Sequence, residues 1–400
     1  MILGKERTIF HIDVNSAFLA WEAVSRVKKG EPDLREIPAV VGGNQENRKG
    51  IVLARSIPAK EYGIKTAETI YSARKKCPQL VVVPPSFSLY EKSSQDLLRI
   101  IKEYSPVIEQ YSIDEFFLDY TDLQLVYGTP LEAALLIKER IKEQLGFTVN
   151  IGVANNKLLA KMASDFLKPD RIHTLYSEEI KDKMWPLPVG NLFMVGRATA
   201  EKLKSIGIET IGDLAKSNRG FMRERLKKHG ELIWDYANGI DSSLVEGSSY
   251  DEIKSISNET TISRDVTCEE DAYLILIALA EKVSSRLRAV DKFYQSITVT
   301  VKNSHFQRYS KQKKLDQPLN STQTTISLAK EIFRETWRGD SIRLLGITLG
   351  DLSNSQAIQL GLWDEQENQK QKDLDQAVDK IRAKFGFHSL VRGRNIGYND

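Results

Sequence analysis

Three carboxylates stand where short apolar segments stop or turn: Asp13 after Thr8–Ile12, and the neighbouring pair Asp114 and Glu115 between the two apolar runs of IEQYSIDEFFLDY. Hard divalent cations take oxygen ligands of this kind. Two such ions, roughly 4 Å apart, can activate a 3′-hydroxyl and neutralise charge on a reacting phosphate, which is the chemistry of nucleotidyl transfer. A strand-terminal aspartate and an Asp-Glu pair on a hairpin can share ions if the two strands lie side by side. The plainer alternative is that Asp13 caps a helix while Asp114 and Glu115 are polar turn residues, and either motif alone fits that as well.

The elements that must position these groups follow from hydrophobic period. RTIFHIDVNSAFLAWEAV reads as a buried strand ending at Asp13 and a helix capped by Asn15 or Ser16. Residues 27 to 80 are polar and punctuated, with a turn at Gly42-Gly43 and a short helix in AKEYG, and form a small subdomain inserted after the first helix. Leu80 to Val83 give a strand stopped by Pro84-Pro85, and Leu89 to Tyr104 carry helical spacing. The acidic pair then falls at the tip of a hairpin. A helix from about Leu131 to Gln144, the strand TVNIGVA and a helix beginning near Asn155 complete a mixed α/β unit through Pro169, a sheet with helices on one face. Residues 185 to 247 are helical and basic, and 253 to 352 form an α+β stretch with strands such as QSITVTV and LLGITL. After the polar run Asp364 to Lys372, the residues Leu374, Val378, Ile381 and Phe385 recur at helical spacing, as in one amphipathic helix.

At 400 residues the chain exceeds what one core organises, so two to four domains are expected. A hydrophobic fraction of 41% with 28% charged residues suits a soluble folded protein. No apolar run nears the roughly 20 residues that span a bilayer, and MILGKERTIF lacks a signal-peptide pattern, so a cytoplasmic protein with no membrane partner is expected. Cys77 and Cys268 suit neither a disulfide framework nor a zinc site. The net charge of +3 is too small to announce a nucleic-acid partner, and local patterning must decide.

HIDVNSAF, SIDEFFLD and GVANNKLLAKMASDFLKP occur in the order and approximate spacing found in Y-family polymerases. The chain resembles that family, especially the bacterial DNA polymerase IV and UmuC group, over almost its whole length. The resemblance implies a multidomain α/β and α+β fold, a right-hand polymerase: palm (1–26 and 80–175), small fingers (27–79), helical helix-hairpin-helix thumb (176–247), α+β little finger (253–352) and a C-terminal clamp-binding peptide and helix (356–400). It implies low-fidelity, template-directed DNA synthesis past damaged bases, with two Mg2+ ions per active site. Asp13, Asp114 and Glu115 become the metal carboxylates, assisted by the Val14 carbonyl. Phe18 falls at the steric gate against a ribose 2′-hydroxyl, and Lys168 and Lys60 at positions that contact the incoming deoxynucleoside triphosphate. The string ARSIPAKEYGIK departs from the family at Ile57, where tyrosine is common, and at Lys60, where arginine is common. Asn15, Ser16 and Ala17 likewise replace larger or more acidic residues.

The thumb string LFMVGRATAEKLKSIGIETIGDLAK resembles paired helix-hairpin-helix motifs, in which Gly196, Gly207 and Gly212 let backbone amides approach phosphates, with Arg197 among the local cations. In the segment that resembles the little finger, Lys302, Arg308, Lys311, Lys313 and Lys314 are placed to grip a primer-template duplex. Gln359, Leu360, Leu362 and Trp363 resemble the peptide by which bacterial polymerases dock on the sliding clamp. A monomer is the simplest expectation. Two other classes remain: a non-catalytic repair scaffold, against which retention of the three carboxylates argues, and a helix-hairpin-helix nuclease or ligase, against which the absence of a KxDG string argues.

Overall fold

The structure, a computed structural model, describes residues 7–43, 50–246, 253–354 and 365–392. Two compact units divide the chain near residue 250.

In the first unit, strand β1 (Ile9–Val14) leads through Ser16 into helix α1 (Ala17–Val27). The strand runs on through Asp13 instead of stopping before it, because β1 is the central strand of its sheet and Asp13 is paired on both sides, with Glu115 and with Asn150. Ser16 is the N-cap residue, yet its left-handed backbone (φ 50°) leaves its hydroxyl without a capping bond.

The insert then forms its own three-stranded sheet from β2 (Ala39–Gly42), β3 (Val52–Arg55) and β4 (Val81–Val83), with helices α2 (Ile57–Glu61) and α3 (Ile70–Lys76). Ser56 and Thr69 cap these helices, their hydroxyls accepting from Ala59 N and Ser72 N. β4 pairs parallel to β2, so the insert's sheet extends to Val83 and not only to residue 79.

Helix α4 (Phe87–Ile101), the hairpin β5 (Ile108–Gln110) and β6 (Glu115–Asp119), the short α5 (Gln124–Tyr127), α6 (Pro130–Leu145), β7 (Val149–Ala154), α7 (Lys157–Ser164) and β8 (Ile172–Thr174) follow. The five-stranded sheet has the order β5-β6-β1-β7-β8. Alternation along the strands divides its faces: Phe10, Ile12, Ile151 and Val153 pack with Tyr90 and Leu97 of α4 and Ile137 of α6. Ile9 and Ala154 turn the other way, toward Leu159 and Ala163 of α7. Helices therefore cover both faces, not one. Gly152 makes the second face possible, since a Cβ there would overlap the carbonyl oxygen of Ala160. Four further helices, α8 (Arg197–Lys204), α9 (Ile211–Lys216), α10 (Arg219–Leu226) and α11 (Lys228–Ala237), share the α7 core through Leu203, Leu214 and Ile233.

The second unit is a four-stranded antiparallel sheet, order β11-β10-β12-β9, made by β9 (Ser255–Val266), β10 (Phe293–Asn303), β11 (Arg308–Leu319) and β12 (Ile342–Ser353). Helices α12 (Glu269–Ala289) and α13 (Thr322–Thr336) cover one face over Ile297, Val299 and Leu345.

The last helix, α14 (Glu365–Phe385), sits on this unit the opposite way round from its apolar pattern. Leu374, Ile381 and Phe385 are exposed, whereas Asp375 and Arg382 are buried. Ion pairs decide this: Arg288 forks onto Asp379 at 2.6 and 3.0 Å, and Arg382 meets buried Glu281 at 2.8 Å. Among the described residues no helix is long and apolar enough to cross a membrane.

Candidate active site

Asp13 and Glu115 are direct partners across the β1–β6 pairing, and the amide of Val14 donates to the carbonyl of Asp114 at 3.1 Å. The adjacency of the three acidic positions thus comes from one antiparallel ladder. Asp114 lies in the β5–β6 turn, where its carboxylate accepts the Ser112 hydroxyl at 2.7 Å. Asp13, Val14, Asp114 and Phe18 line one cavity of about 300 Å³.

Two lysines from α7 and the loop after it balance the acids. Lys161 donates to Glu115 and lies 3.6 Å from Asp13; Lys168 lies 3.0 Å from Asp13. Both also reach Asp165, at 3.4 and 2.8 Å. Burial pushes the Glu115 carboxyl up to about 6, against the pull of Lys161. Burial works to lower Lys161, yet the hydrogen bond to Glu115 and the surrounding carboxylates leave it raised. The described residues contain no ready-made group of three metal-holding His, Cys, Asp or Glu side chains, and Lys161 lies between Asp13 and Glu115. The donors themselves are carboxylate or carbonyl oxygens, those of Asp13, Val14 and Asp114 around one cavity and that of Glu115 beside Asp13 in the ladder, and such oxygens suit a hard divalent cation.

Beyond the acids, cations converge. Arg55 and Lys60 line the same cavity, and a smaller one of about 170 Å³ beside it is bounded by Lys60, Lys168, Arg35 and Ser16. Burial, then the proximity of Arg55 and Lys168, lowers the ammonium of Lys60. Crowded positive charge of this kind suits a polyphosphate. Asn15 has a positioning role: its side-chain oxygen accepts the amide of Asp170 at 2.8 Å and the Thr148 hydroxyl at 3.0 Å, fixing the loop that carries Lys168. Phe18 lies flat on Tyr90, whose hydroxyl donates at 2.9 Å to buried Glu22.

Lys161, Arg55 and Tyr90 were not singled out from the sequence. Lys161 had a usable signal, standing in the same string as Lys168, GVANNKLLAKMASDFLKP. Tyr90 had none, since its contact with Phe18 depends on how α4 packs against α1.

The other expected residues sit elsewhere. Gly196 is the N-cap of α8, and Arg197 beside it is well exposed and paired with Glu201 at 2.8 Å. Gly207 has φ +82°, which requires glycine. Gly212 differs from its expected role: its amide is committed to the Trp185 carbonyl at 3.0 Å, and a Cβ would press on Trp185. Close packing accounts for it. In the second unit, Lys302 and Arg308 are paired on the sheet face away from the helices, as is Lys314, whereas Lys311 shares the helix-covered side with Val299 and meets Glu335 of α13 at 2.8 Å. The expected grip is therefore split between two faces. Gln359, Leu360, Leu362 and Trp363 lie outside the described residues.

Residues 12–165 match the model of the impB/mucB/samB family, 177–208 that of the IMS family HHH motif, and 253–362 that of the impB/mucB/samB family C-terminal domain. The chain is 49% identical to the DNA polymerase IV of Clostridium acetobutylicum over 388 residues, 96% of this chain and 97% of that protein. It belongs to the Y-family DNA polymerases of the impB/mucB/samB group. DNA polymerase IV 1 of Bacillus subtilis is 35% identical, with 98% of this chain and 94% of that one covered. A solved Y-family DNA polymerase chimera of Dbh and Dpo4 matches with a TM-score of 0.76 at 23% identity, over 87% of this chain and all of its own. The mixed α/β sheets, the HHH motif and the C-terminal domain are consistent with the palm, fingers, thumb and little finger of the Y-family fold.

Proposed function

We propose that this chain is a template-directed DNA polymerase that adds deoxynucleotides to a primer 3′ end with low fidelity and continues past damaged template bases. The observation that carries the reading is the ladder pairing of Asp13 with Glu115 beside a cavity shared by Asp114, Phe18, Arg55 and Lys60. Acids at one end and cations at the other match a triphosphate with its reacting phosphate held at the acids.

Asp13, Asp114, Glu115 and the Val14 carbonyl are the groups that would hold two Mg2+ ions. Bound magnesium would supply a lowered pKa for the primer 3′-hydroxyl and charge neutralisation at the α-phosphate. Lys60, Lys168 and Arg55 hold the triphosphate tail; lysine at position 60 acts as a point charge where arginine would fork. Phe18, backed by Tyr90, lies under the sugar and excludes a 2′-hydroxyl. Lys161 keeps the acids compensated when no ion is present.

Gly196, Arg197 and Gly207 would hold the duplex phosphates from the thumb, and Lys302, Arg308 and Lys314 from the little finger. Gln359, Leu360, Leu362 and Trp363 would dock on the sliding clamp. The proposed domain boundaries are those given from the sequence, with the fingers extended to Val83. Primer extension with magnesium and deoxynucleotides, on an intact template and opposite an abasic site, tests the reading. Extension that disappears in Asp114→Ala is expected, and no extension by folded, DNA-bound protein refutes it.

A further inference from the structure

A third cavity, of about 310 Å³, opens on the face of the five-stranded sheet covered by α4 and α6, between α1, α4 and the end of α6. It shares no lining residue with the two cavities at Asp13. Its walls are apolar, formed by Trp21, Val24, Leu89, Leu145 and Phe147. The indole N–H of Trp21, buried at 1% exposure, has no acceptor among the described residues.

Charge at the rim is one-sided. Lys28, Lys29 and Lys92 all border the cavity, and among the described residues none of their ammonium groups is paired with a carboxylate. The one acid there, Asp96, is already engaged by Arg99 at 3.0 Å. An apolar chamber rimmed by three cations that have no carboxylate partner among the described residues is complementary to a molecule with an apolar body and an anionic head. A neutral apolar molecule would leave the lysines without partners, and a simple inorganic anion would leave the chamber unfilled.

We infer that this cavity is a binding site for a small amphipathic anion, an aromatic or acyl body carrying a carboxylate, sulfonate or phosphate. Such an occupant would rest on Trp21, whose ring lies 5.7 Å from Tyr90 and 6.0 Å from Phe18. The site therefore adjoins the aromatic cluster that supports the sugar-contacting ring.

The test uses the full chain and 8-anilinonaphthalene-1-sulfonate as the probe, followed by its fluorescence and by quenching of tryptophan emission. Saturable binding of one probe per protein is expected, weakened by salt. It should fall at least tenfold in the double variant Lys28→Glu, Lys92→Glu, both exposed positions, and its tryptophan quenching should shrink in Trp21→Phe. The uncharged analogue 1-anilinonaphthalene should bind at least tenfold more weakly. Probe binding that is unchanged in the charge-reversed variant, with its circular dichroism intact, overturns the inference, as does equal binding of the uncharged analogue.

Discussion

The ring of Phe18 lies parallel to that of Tyr90, with centroids 4.5 Å apart and planes inclined by 10°. Stacking fixes the plane of Phe18, and the hydrogen bond from Tyr90 to Glu22 fixes Tyr90 in turn. Phe18→Ala should raise ribonucleotide insertion by roughly 100-fold, as expected for removing a clash of about 2.7 kcal/mol. Tyr90→Ala should raise it by a smaller factor, and Tyr90→Phe should leave discrimination intact while lowering stability by about 1–3 kcal/mol, since Glu22 loses its partner. Competing insertion of a ribonucleotide and its deoxynucleotide measures the first two effects, and denaturant unfolding the third.

Lys161 is the cation shared by Asp13 and Glu115. Lys161→Ala should cost about 3 kcal/mol in EDTA, because two partly buried carboxylates are left facing each other. Magnesium should restore much of that loss, since the ion replaces the missing charge. Melting with and without magnesium reads both effects; equal losses in the two buffers would refute the counter-ion role.

Gly152 is where α7 approaches the sheet. Gly152→Ala should destabilise the first unit by about 3 kcal/mol or more, because the added methyl meets backbone that cannot yield. Polymerase activity should fall with it, since α7 and its following loop carry Lys161 and Lys168. Unfolding and primer extension on the same preparation check the pair of effects.

Asp170 accepts from Lys138 at 2.8 Å and Lys142 at 3.0 Å. Burial tends to raise its carboxyl, but these hydrogen bonds outweigh it and hold the group below the usual range. The folded state therefore binds fewer protons than the unfolded chain below about pH 4, and stability is fully present above that point. It should be lost as pH falls through the lowered value. Asp170→Asn should remove this component, giving a flatter acid limb when melting temperature is followed from pH 6 downward.

Lys302 and Arg308 share one sheet face and Lys311 lies on the other. Lys302→Ala and Arg308→Ala should each lower the slope of log affinity against log salt by about 0.9 for duplex DNA. Lys311→Ala should leave the slope unchanged. Anisotropy titrations at several salt concentrations separate the two faces.

Local chemistry alone determined much of this protein. The apolar run before Asp13, the acidic turn of SIDEFF and the helical spacing from about Leu131 are short-range signals, and β1, the β5–β6 hairpin and α6 appear within a residue or two of where they were expected. Which strands would flank β1 was not legible, because pairing between strands distant in sequence depends on loop closure and burial far along the chain. Only the tertiary structure put Asp13 opposite Glu115, gave β4 to the insert's sheet, and sent α7 to the opposite face through Gly152. The same holds for α14, whose apolar period pointed to one face while ion pairs with Arg288 and Glu281, near a hundred residues away in sequence, buried the other. Spacing fixes which residues share a face; which face is buried is decided by the partner that meets it.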